Sequence, residues 1–129
     1  MEYYYRKKLS KTTFDAVIDK TTLALKEEGF GILTEIDIKA TLKKKLDIDF
    51  YNYKILGACN PEFAYKALLT EDKIGIMLPC NVVVQEKEPG KLEVAAVNPI
   101  ASMQAIENID LINVAKDVSA RLRRVISSL

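Results

Sequence analysis

Two short stretches hold the side chains best equipped for chemistry: "GACNPEF" around Cys59 and "MLPCNVV" around Cys80. They contain the only two cysteines of the chain, each within two residues of a proline and each followed by asparagine. A thiol pair can exchange disulfides, carry sulfur, or hold a soft metal ion or a small ligand. Copper(I) suits two sulfurs. Zinc would need further ligands, which a second copy could bring. Histidine is absent, which removes every Ser–His or Cys–His dyad and the usual zinc imidazole. Cys59 and Cys80 are therefore the candidate metal ligands, and a soft metal ion is the one cofactor they suit. Asn60, Asn81 and Asn98 complete the candidate ligand or thiol site; catalytic roles stay unassigned. The alternative stays open at this stage. Free cysteine is among the most buried residue types, so both thiols can simply be packing residues of a structural or binding protein.

These residues need elements to hold them. Residues 2–9 alternate loosely and read as a strand. Thr12 or Thr13 can start a helix with Phe14, Val17, Ile18 and Leu25 on its apolar stripe, and Gly29 ends it. Residues 30–38 read as a second strand. Asp37 can cap a short basic helix, "IKATLKKKL". A third strand covers about 52–58. Asn60 can cap the next helix, with Pro61 in its first position. Residues from 74 onward read as strand, broken at Pro79, and "EPGK" turns into a hairpin partner over 92–97. Asn98-Pro99 stops that strand. Asp110 can cap a long last helix carrying Leu111, Ala115, Val118, Leu122 and Val125.

The pattern predicts an α+β single domain over 1–129, with one mixed β-sheet of about five strands and helices mainly on one face. If the strand before Pro79 runs parallel to the third strand, both cysteines fall at carboxyl strand ends, where open sheets build sites. Cys59 would then also face the amide groups that open a helix, which favour thiolate.

Lys plus Arg number 19 and Asp plus Glu 18, so no broad basic surface is available for nucleic acid. Near-zero net charge also eases self-association. No apolar run is long enough to span a bilayer, and residues 1–10 lack a leader's apolar segment, so no membrane partner is expected and the cytoplasm is the expected location. There two cysteines read as thiols. Abundant Lys and Glu beside two Gln suit a heat-adapted, possible thermophilic source.

The stretch "YKILGACNPEFAYKALLTEDKIGIMLPCNVVVQE", followed by a hairpin and Asn98-Pro99, resembles the domain-of-unknown-function family 302 over about residues 12–128. The resemblance lies in Cys59-Asn60-Pro61 and Pro79-Cys80; the family often has Asp-Pro where this chain has Asn98-Pro99. It implies a small α+β homodimer with no established activity, and it supplies no catalytic residues. The expected function is a homodimeric thiol or small-ligand-binding module at Cys59 and Cys80, whether redox, sulfur-carrying or metal-binding. The rival is a non-catalytic homodimer whose cysteines only pack.

Overall fold

Three of the four helices longer than a single turn begin on a side chain that satisfies one of their first free amides. In α1 (Phe14–Glu27) the Ala16 amide donates to Thr13 Oγ1 at 3.2 Å, and in α2 (Ile38–Leu46) the Ala40 amide donates to Asp37 Oδ1 at 2.9 Å. The last long helix, Ile109–Ser128, is capped by Asn108 through the Leu111 amide; the expected cap, Asp110, lies in its first turn instead. Between them lie α3 (Pro61–Thr70) and a single turn, α4 (Pro99–Ser102). The last helix is therefore α5. The structure is a computed structural model that describes residues 2–129.

The strands are β1 (Tyr4–Leu9), β2 (Gly31–Asp37), β3 (Asn52–Cys59), β4 (Cys80–Glu88) and β5 (Lys91–Val97). They form one sheet in the order β1-β5-β4-β3-β2, so the molecule is α+β. Every neighbouring pair is antiparallel. The expectation of a mixed sheet is corrected here. Residues Ile74–Met77 form a 3-10 turn, not strand, leaving Ile76 82% exposed while Ile74 is buried. With that run coiled, the α3 excursion returns the chain to the end of the sheet it left. β4 therefore starts beside the end of β3 and runs back along it. β1 and β2 lie on opposite edges, so no parallel crossover joins them.

Strand alternation then sorts the two faces. Leu56, Val82 and Val94 point to one face, where Val17 and Leu25 of α1 and Leu122 and Val125 of α5 bury them in a single core. The helical stripes thus share one surface, as expected. A second cluster of Ala67, Ile74, Met103, Leu111 and Ala115 ties α3 to α5. The opposite face carries Arg6, Ala95, Val83 and Ile55 in one cross-strand row.

Candidate functional site

Ala58, the penultimate residue of β3, lies opposite Cys80, the first residue of β4. Cys59 follows Ala58 and pairs with Gly31 of β2. Both cysteines are free. They come to the same end of the sheet through antiparallel pairing, not through the parallel strands the sequence suggested. The pleat separates them, however: alternation puts Cys80 on the helix-covered side with Ala58 and assigns Cys59 to the other side. Cys80 is 8% exposed and Cys59 half-buried.

Both residues border one small apolar cavity of about 30 Å3, walled by Phe30, Phe63, Leu78, Met103 and Leu111 among others. That volume suits about two waters or a few heavy atoms. Burial, with a smaller contribution from charge on Cys59, pushes the Cys80 thiol up to about 11, so it stays protonated across the physiological range.

Gly57 explains how tightly the strand end is packed. A Cβ there would lie 2.2 Å from Thr34 Oγ1 and 2.9 Å from Pro79 Cγ, so only a hydrogen fits. The Leu78–Pro79 peptide is cis.

Asn60 does not cap α3 as expected; it makes no side-chain cap bond there. Its Nδ2 donates instead to the Glu28 carbonyl at 3.3 Å, and Arg121 Nη1 donates to the same oxygen at 3.1 Å. The end of α1 offers free carbonyls, and an amide and a guanidinium satisfy one of them. The approach requires Gly29, at φ +88°, where a Cβ would come within 2.9 Å of Asn60 Nδ2. Arg121 also stacks over the Phe63 ring at 5.1 Å, and Arg124 grips the Glu28 carboxylate at 2.9 Å, holding it below the usual carboxylate range.

The other two asparagines lie elsewhere. Asn81 is exposed on the sheet's opposite face, across from Gly57. Asn98 is buried in a network of its own. Its Oδ1 accepts from the Ile100 amide at 3.1 Å and from Ser119 Oγ at 3.2 Å, its Nδ2 donates to the Glu2 carbonyl at 3.1 Å, and Ser119 in turn bonds the Tyr5 hydroxyl. The structure therefore brings Cys59, Asn60 and Cys80 to the cavity and leaves Asn81 and Asn98 apart from it.

The sequence reading missed the walls. Phe63, Ala64 and Ala67 recur at helical spacing after Asn60, so their shared face was legible. Leu111 lay on the apolar stripe expected for the last helix, but no local pattern brings it, or Met103, to this cavity from so far along the chain. Among the described residues, no group of three or more His, Cys, Asp or Glu could hold a metal ion. No helix among them is long and apolar enough to cross a membrane.

The family model "Domain of unknown function DUF302" matches residues 5–129. The chain is similar to the crystal structure of an uncharacterized conserved DUF302 protein from Bacillus stearothermophilus, with 27% identity, 98% of each chain covered and a TM-score of 0.89. No curated protein matches it.

Proposed function

The chain belongs to the DUF302 family, and we propose that it is a homodimeric module of the cytoplasm that binds a small ligand at the cavity bordered by Cys59 and Cys80. One observation carries this reading: the only two cysteines of the chain are lining residues of the same small apolar cavity at one end of the sheet. The half-buried Cys59 is the thiol a reagent meets first, and Cys80 acts as a neutral wall behind it. A soft metal ion held by both sulfurs would need both deprotonated, and burial opposes that at Cys80. Thiol exchange at Cys59 with a small disulfide or thiosulfonate is the better fit. The Cys59 sulfur takes the sulfenyl group and the leaving thiol or sulfinate departs.

The volume of about 30 Å3 and the burial of Cys80 favour a second reading, in which both cysteines only pack. Methyl methanethiosulfonate, whose transferred group has two heavy atoms, separates the two. The proposed module reacts at Cys59 in the native state, and Cys59→Ser abolishes that reaction. Native protein that reacts at neither thiol until it unfolds would leave the packing reading in place.

A further inference from the structure

The sheet face opposite α1 and α5 carries two adjoining hollows of unlike chemistry. The first, of about 460 Å3, has a floor of small apolar side chains, Val83, Ala95 and Val97. Tyr3 and Tyr4 stand at its β1 edge, and Tyr53 stands on β3, three strands across. Each side is a cluster of rings. Tyr3 and Tyr4 meet edge to face at 4.8 Å, and Tyr53 lies beside Phe50 and Tyr51, which stack at 4.0 Å. Tyr3 is 69% exposed, so its ring is open to a ligand. Burial, then the phenols of Tyr51 and Tyr3, raise the Tyr53 phenol above its usual range, so Tyr3 and Tyr53 lie within electrostatic reach of each other.

The second hollow, of about 430 Å3, shares Arg6, Gln85, Lys87 and Glu93 with the first and is ionic. Four cations, Arg6, Lys8, Lys87 and Lys91, stand there against two carboxylates, Glu88 and Glu93. Glu93 answers Arg6 loosely at 3.6 Å, and Glu88 answers Lys91 at 2.8 Å. Lys8 and Lys87 make no ion pair among the described residues, so positive charge is left over. Both volumes fall within the roughly 300–1,000 Å3 of small-molecule sites. Exposed tyrosines offer faces on which a flat ring stacks, and Arg and Lys pair with a phosphate or carboxylate. We propose that this face binds a small ligand that joins a planar aromatic ring to an anionic group. The ring lies on the floor of Val83 and Ala95 beside the tyrosines, and the anion lies between Arg6 and Lys87, where the two hollows meet. A nucleoside monophosphate or a flavin mononucleotide has this chemistry. None of the lining residues borders the cysteine cavity, so the proposal does not rest on the thiol reading.

Equilibrium dialysis of the full chain against adenosine monophosphate and flavin mononucleotide tests this, with far-UV circular dichroism reporting the fold. Wild type should bind them, and more weakly as salt rises, because the charge contact is exposed. Adenosine and riboflavin keep the ring and lose the phosphate, and should bind roughly fivefold more weakly or worse. Tyr53→Leu and Tyr3→Ser should each weaken binding roughly fivefold or more. Lys87→Gln should weaken the two phosphates and leave adenosine and riboflavin unchanged. Lys44→Gln, on α2, and Cys59→Ser, at the cavity, should change nothing. Should Tyr53→Leu lose its fold, Tyr3→Ser and Lys87→Gln decide, since both side chains are exposed. A wild type that binds neither nucleotide at millimolar concentration overturns the proposal. So do neutral counterparts that bind as tightly, binding that survives both tyrosine variants, or binding that Cys59→Ser removes. A dimer in light scattering that Tyr3→Ser dissociates overturns it too, because a second copy then fills the groove.

Discussion

The thiol at Cys80 and the missing side chain at Gly57 set the terms of the strand end. Cys80 is protonated in the folded protein up to about pH 11, whereas an unfolded thiol releases its proton nearer 8.5–9. The folded state thus holds the extra proton between those values, and stability falls as pH rises through that window. A shift of this size corresponds to about 2–3 kcal/mol. Urea unfolding at pH 8 and pH 10.5 should show the decline, and Cys80→Ala should flatten it, apart from a constant loss of about 1 kcal/mol for the void. An unchanged slope in Cys80→Ala would assign the pH dependence to other groups. Gly57→Ala meets Thr34 and Pro79 at distances no side chain tolerates, and overpacking of this kind costs about 1–3 kcal/mol. Thermal unfolding measures that loss, and Thr34→Ala in the same chain should restore part of it by removing the nearer atom.

At the scale of elements, two asparagines tie together segments far apart in the chain, and only one of them also caps its helix. Asn60 joins the start of α3 to the last carbonyls of α1, beside Arg121. Asn98 caps the single turn of α4 and ties it to α5 through Ser119 and to the N-terminal segment through Glu2. The two are equally buried, but Asn98 makes three side-chain hydrogen bonds where Asn60 makes one. Removing Asn98 strands several polar groups, each costing about 1–3 kcal/mol when left unpaired. Asn98→Ala should therefore lower the unfolding free energy more than Asn60→Ala does, and chemical denaturation ranks them. Equal losses would mean that water replaces Asn98 readily. Asn60→Ala should also quicken labelling of Cys59, since α3 then holds the cavity's edge less firmly; hydrogen exchange at α3 follows the same change.

For the whole molecule, one face of the sheet is spent on the helices and the other is left to solvent or to a partner. A docked face should remove tyrosines from water. The chain has six tyrosines and no tryptophan, so its ultraviolet titration reports these phenols directly. The Tyr53 phenol already titrates above its usual range, and ionising it inside an interface costs more. If a second copy covers this face, the summed phenol titration of the chain should move to higher pH as protein concentration rises. Concentration-independent titration in a wild type shown to be dimeric would place the interface away from Tyr53.

The sequence by itself determined the α+β class, the extents of most helices and strands, and the shared face of α1 and α5. These follow from local caps, from turn residues and from apolar periods of 3.6 and 2, all of which neighbouring residues express. Cys59 and Cys80 stood out because no other residue of their type competes. Strand direction was not determined, because "KIGIMLP" fits a buried strand and a 3-10 turn equally well by composition. Only packing chose, burying Ile74 against Met103 and Leu111 and turning β4 back along β3. The expected cap at Asn60 went astray for a related reason. An amide beside a helix start can cap it locally or reach a carbonyl far along the chain, and the position of the distant carbonyl, Glu28 for Asn60, exists only once the chain has folded.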